Sequence, residues 1–181
     1  MNAIGFVELN SIAKGYEVAD VILKTSDVEL ISSYAGCPGK FYFLFGGYPA
    51  AVEVAIKAGR ELARENMIDS TVISNVHDDV IRAMSMATEI PLEGALGIME
   101  FFSVTGAIYA ADAAIKAADV QLLEVRTAMG IGGKAYVVLT GQVSAVKAAT
   151  EAAITEENAA GMLVHSAVIA NPDPALMQSL Y

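Results

Sequence analysis

The sequence predicts an α+β protein of two tandem split βαβ domains, each an antiparallel sheet with helices packed on one face. Three observations carry this. The chain says the same thing twice: AIGFVELNSIAKGYEVADVILKTSDVEL from Ala3 is answered by ALGIMEFFSVTGAIYAADAAIKAADVQL from Ala95, an offset of 92. That offset pairs Gly5 with Gly97, Glu8 with Glu100, Ser11 with Ser103, Asp20 with Asp112 and Lys24 with Lys116. Each copy alternates period-two and period-3.6 patterns in the order strand, helix, strand, strand, helix, strand, with a short helix after. Finally, FYFLF (41–45) is too apolar for a strand with one wet side.

The elements follow in order. Ala3 to Leu9 predicts a strand that stops before Ser11, whose hydroxyl suits a helix N-cap. Ile12, Tyr16, Ala19 and Leu23 then recur on one helical face. Val28 to Tyr34 and Lys40 to Phe45 predict two strands flanking a Gly-Cys-Pro-Gly turn. Gly46 and Gly47 break the pattern before Pro49, which suits a first helical turn, and Val52, Ala55, Gly59 and Leu62 continue as a small-residue stripe for close packing. The second copy repeats this with Val104 to Ala118, Lys134 to Thr140 and Ser144 to Glu157. The offset grows to 94 at Lys40/Lys134 and to 96 where VISN (72–75) meets VIAN (168–171). The first two extra residues therefore fall at the cysteine turn, where the copies differ. A linker is expected near Met86 to Gly94, where TEIPLEG carries a proline and a glycine, with domains over 1–88 and 93–181.

A chain of 181 residues is one ordinary domain or two small ones. Hydrophobic residues make up 55% and charged residues 18%, far from disordered composition. Glu100, Asp112 and Lys116 interrupt the best apolar run, so no bilayer span is expected. The opening MNAIGFVELN lacks the basic segment and apolar core of a signal peptide, and one cysteine fits a reducing cytoplasm. A net charge of −10 argues against nucleic acid or an anionic membrane as partner. So much apolar surface in so small a chain points to an oligomer.

Few motifs carry chemistry. GIGGKA (130–135) has the glycine spacing of a relaxed phosphate loop, but a strand rather than a helix follows it, which removes the helix end such a loop needs. Glu8 and Glu100 form a pair only through duplication. His77 and His165 have no partner pattern and read as structural or solvated. No nucleophile–base arrangement is present, so no enzyme is expected.

Cys37 is the exception. An isolated cysteine is usually a small buried hydrophobe. A glycine-rich turn is an odd place for one: Gly36 and Gly39 bring the backbone close to whatever the turn faces, their N–H groups are available to a sulfur-bearing anion, and Pro38 stiffens the loop. Lys40 adds a positive charge that would favour a thiolate. Cys followed by Pro also occurs in ferredoxin cluster motifs. These features suit a ligand, and one ligand per chain demands symmetry: three chains around a three-fold axis supply three thiolates at one point.

Both halves resemble the bacterial microcompartment shell domain, through AIGFVE/ALGIME, the helix endings VILKTSDV/AAIKAADV and the strands KFYFLFGG/KAYVVLTG. The CPGKF turn of the first copy and the GIGGK loop of the second are similar to those of tandem-domain, iron–sulfur-carrying shell proteins of propanediol-utilisation microcompartments. The resemblance implies a homotrimer that imitates a hexagonal tile, with a pseudo-hexameric arrangement of its domains. It implies one [4Fe–4S] cluster per trimer at the central pore, with Cys37 as the metal ligand and Gly36, Pro38, Gly39 and Lys40 around it. It further implies other shell proteins as partners, a redox partner protein, a place in a microcompartment shell within the cytoplasm, and Lys24 and Lys116 at the tile edge. The family's Pro-Arg-Pro-His edge motif is not kept in SNVHDD (74–79) or ANPDPA (170–175). The leading expectation is a shell protein whose pore cluster transfers electrons. A cluster-free metabolite pore and a trimeric regulator binding a small ligand stay open beside it.

Overall fold

The computed structural model describes residues 3–85, 88 and 94–180. The chain forms two compact units, Met1–Val76 and His77–Tyr181. Apart from Thr88 and Gly94, the expected linker lies outside the described residues.

In the first unit β1 (Ala3–Leu9) leads into α1 (Ile12–Thr25), β2 (Val28–Gly36), β3 (Lys40–Gly47), α2 (Pro49–Ala63), a 3-10 turn (Arg64–Asn66) and β4 (Met67–Ser74). The sheet order is β2-β3-β1-β4, antiparallel throughout. Local chemistry sets the ends. The Ser11 hydroxyl accepts from the Lys14 N–H at 3.4 Å and opens α1, and Pro49 occupies the first turn of α2. Alternation then sorts the aromatic strand. Phe41, Phe43 and Phe45 join Val7, Val18, Ile22 and Val52 in the core. Tyr42 and Leu44, between them in the strand, are buried too, as an apolar run with both faces covered requires. Close packing needs Gly15: a Cβ there would stand 2.2 Å from the Phe41 ring.

The second unit contains α3 (Asp78–Met84), β5 (Ala95–Phe101), α4 (Val104–Ala117), β6 (Val120–Thr127), β7 (Ala135–Gly141), α5 (Val143–Thr155), α6 (Glu157–Ala160), β8 (Leu163–Ile169) and α7 (Pro174–Gln178). Its sheet order, β6-β7-β5-β8, repeats that of the first. The register shift at Leu30/Ser32 recurs at Leu122/Glu124, so the duplication reaches the backbone irregularities.

Two features differ from the expectation. The short helix α3 follows the first repeat in sequence, yet packs along β6 of the second unit. One-sided packing holds for the long helices. A Cβ at Gly97 would meet Val146 and Thr150 of α5, so Leu96 and Val138 lie on the opposite face, where Met177 of α7 packs on them. Among the described residues no helix is long and apolar enough to cross a membrane.

Candidate functional site

The β2–β3 hairpin closes where Gly36 pairs with Lys40, leaving Cys37, Pro38 and Gly39 as the turn. Gly39 has φ +88°, the left-handed region where glycine is favoured, and its N–H donates to the Gly36 carbonyl at 2.8 Å. The Cys37–Pro38 peptide is cis. Cys37 is exposed and in no disulfide, so the small buried hydrophobe is excluded. The Tyr42 hydroxyl donates to the Cys37 carbonyl at 3.3 Å and ties the turn to the strand. Tyr42 stacks between Phe6 and Tyr34, with ring centroids 6.2 Å and 5.3 Å away. Burial first, then the Glu8 carboxylate, pushes its hydroxyl far above the usual tyrosine range, so it remains a proton donor.

Two expectations about this turn are corrected. Lys40 was expected to lend its charge to the thiol, but its Nζ lies 2.5 Å from Glu8 Oε1 and is committed to that buried carboxylate. The Gly39 N–H, expected to face a sulfur-bearing anion, is used inside the turn. Glu8 in turn is more than an echo of duplication. It lies opposite Tyr42, so Lys40, two residues back along β3, is its diagonal neighbour on the same face. The second repeat keeps the pair, with Lys134 Nζ 2.6 Å from Glu100 Oε1. A Glu and a Lys held at matching places in both copies was the signal available in the sequence.

The second repeat's counterpart loop turns differently. Ala128, Gly130, Gly132 and Gly133 all have positive φ, and the Ala128 N–H donates to the Lys134 carbonyl at 3.0 Å. Strand β7 follows directly, so no helix end faces the loop and the phosphate reading fails. Below it, the Tyr136 hydroxyl donates to Glu124 Oε2 at 2.8 Å. Burial, then that hydrogen bond, raises the Tyr136 pKa.

Away from the hairpins, Lys24 and Lys116 occupy the last turns of α1 and α4, where a cation suits the helix dipole. Each pairs with an aspartate one turn back: Lys24 with Asp20 at 2.7 Å, Lys116 with Asp112 at 2.5 Å. His77 caps α3, its Nδ1 accepting from the Asp79 N–H at 3.2 Å, and His165 stands exposed on β8. Among the described residues no three His, Cys, Asp or Glu side chains come together to hold a metal ion. One chain therefore offers a single accessible thiol on a short, braced turn. That donor set fits a metal group only where several copies share it.

The BMC domain model matches the chain twice, over residues 3–76 and 95–172. The chain is 42% identical over 178 residues to the bacterial microcompartment shell protein PduT of Citrobacter freundii, covering 98% of this chain and 97% of that protein. It is 28% identical to the carboxysome assembly protein CcmO of Synechococcus elongatus, over 98% of this chain and 68% of that one. Among solved structures, a microcompartments protein from Desulfitobacterium hafniense superposes with a TM-score of 0.92 at 43% identity, covering 98% of this chain and 99% of that. A fused permuted hexameric shell protein from the RMM microcompartment gives a TM-score of 0.64 at 24% identity, covering 87% and 83% of the two chains, a likeness in fold alone.

Proposed function

The chain belongs to the BMC-domain family of microcompartment shell proteins, structural rather than enzymatic, and from that premise we propose that it forms a homotrimeric, pseudo-hexameric facet tile. Its three copies of Cys37 would hold one [4Fe–4S] cluster at the three-fold axis. The two BMC domains, matched over residues 3–76 and 95–172, would each supply one sixth of the tile, so three chains would close a ring. The observation that carries the cluster is the exposed thiol on the β2–β3 turn, present in the first repeat only. Three such turns supply three thiolates and leave one iron for another ligand.

When bound, the cluster supplies a one-electron couple, suited to electron transfer with a redox partner across the shell. The chain's own residues do the positioning. Gly39 allows the tight turn, and Tyr42 fixes the Cys37 backbone to β3. Lys40 and Glu8 bring opposite charges beside the turn that largely offset one another. Protein purified without oxygen should be brown, with about four iron and four sulfide per trimer. A colourless, iron-free protein would overturn the cluster and leave a metabolite pore.

Lys24 and Lys116 are the proposed tile-edge residues. Their ion pairs are exposed or partly exposed, so changing both lysines to alanine should cost about 1 kcal/mol or less of stability. Sheet formation seen by electron microscopy should nevertheless weaken, with thermal melts nearly unchanged. Arrays that form as readily as those of the parent would remove the edge assignment.

A further inference from the structure

Tyr42 and Tyr136 hold matching places in β3 and β7, yet their hydroxyls go to different partners. Tyr136 donates to Glu124 Oε2 at 2.8 Å, within its own sheet. Arg126 holds that carboxylate from the other side, with Nε 2.5 Å from Glu124 Oε1. Tyr42 donates instead to the Cys37 carbonyl at 3.3 Å, in the turn. The neighbouring strand supplies the cause. Under the offset of 92, Glu124 corresponds to Ser32 and Arg126 to Tyr34. The registers agree: Glu124 and Arg126 stand opposite Val138 and Tyr136, and Ser32 and Tyr34 opposite Leu44 and Tyr42. The residue diagonal to the tyrosine on its own face is therefore a carboxylate in one unit and a short hydroxyl in the other.

The other strand beside the two tyrosines does not make the difference. Glu8 stands opposite Tyr42 as Glu100 stands opposite Tyr136, and a lysine engages each glutamate. What remains is the exchange at 32 and 34. The Tyr42 ring is fully buried and stacked between Phe6 and Tyr34, which sets where its hydroxyl points. A buried hydroxyl needs an acceptor, and the one it finds is the Cys37 carbonyl.

We propose that Ser32 and Tyr34 specialise the first hairpin for holding metal. Ser32 withholds the carboxylate that captures the second unit's tyrosine, and Tyr34 fixes the ring. Together they reserve the Tyr42 hydroxyl for the turn that carries the thiol. Both are positioning residues, acting through Tyr42 and not as ligands. The inference rests on the cluster proposed above and adds what a thiol alone does not supply, a reason for the turn to keep one shape.

The test moves the second unit's pair into the first, as Ser32→Glu with Tyr34→Arg, an exchange neutral in net charge. Tyr42→Phe keeps the ring and removes only the hydroxyl. Ser32→Ala brings in no carboxylate and is the control. Metal-free protein is followed by hydrogen exchange of the peptide covering Gly36 to Lys40, where the Gly39 N–H closes the turn. Exchange there should quicken about tenfold in the double variant and in Tyr42→Phe, the scale of one lost hydrogen bond, with oligomer mass unchanged. Ser32→Ala should match the parent. In protein prepared without oxygen, iron release to a chelator should quicken about tenfold or more in the same two variants, since three chains each lose the bond. If the double variant does not assemble, Ser32→Glu alone takes its place. Parent-like exchange in Tyr42→Phe would overturn the brace. Parent-like exchange in the double variant, or fast exchange in Ser32→Ala, would overturn the assignment to positions 32 and 34. Faster exchange with unchanged iron release would overturn the role toward the metal. A parent protein that never carries iron would overturn the cluster itself, whereas the exchange rates of the metal-free turn would still decide the brace.

Discussion

Replacing Cys37 by serine is expected to bring protein-bound iron and sulfide to background in protein purified without oxygen, with the oligomer unchanged in mass. The loss should be complete because one substitution removes all three thiolates of the proposed site at once. A serine hydroxyl does not replace a soft thiolate ligand. The fold has little at stake: Cys37 is exposed and outside the core, where substitutions usually fall within about 0.5 kcal/mol. Iron analysis and native mass measurement on parent and variant, prepared side by side, check the two halves of the statement. Iron retained at the parent's level would refute the ligation. Iron lost together with the oligomer would show instead that the turn builds the subunit contact.

The largest effect on stability is expected from Phe41→Ala. Phe41 is fully buried, its ring 4.9 Å from that of Tyr16 and pressed against the α1 backbone at Gly15. Truncating such a ring costs about 3–5 kcal/mol, because the cavity adds to the lost transfer energy. Domain stabilities lie around 5–15 kcal/mol, so the first unit should lose a large share of its margin. Denaturant titration should show a clearly lowered midpoint. Val54→Ala, on the exposed side of α2, is the control and should move it little. Equal midpoints for the two variants would mean that the aromatic strand does not organise this core.

Much of this fold was legible because the duplication repeats its own evidence. Ser11 and Ser103 each cap a helix, and Pro49 opens α2, since capping and the fixed φ of proline act within a few residues. The hairpin presenting Cys37 was legible for the same reason. What lay across the sheet was not. Glu8 and Lys40 are 32 residues apart and meet only because the register sets Glu8 opposite Tyr42. The sequence showed the glutamate twice and the lysine twice, but periodicity gives a residue's face and not its partner on the next strand. The place of α3 was hidden likewise. A seven-residue helix carries too short a pattern to say which sheet it joins, and this one packs on the sheet that follows it. The use of the Gly39 N–H inside the turn was not legible either, because a turn's internal hydrogen bond depends on its backbone angles, which the residue names only bound.

The central claim is that three copies of one thiol share one cluster, and native mass spectrometry of protein kept under anaerobic conditions tests it most directly. The account predicts a single species of three chains plus the mass of one [4Fe–4S] group, and the same species without that group after Cys37→Ser. A stable monomer or dimer, or a trimer that carries no cluster when prepared without oxygen, would contradict it.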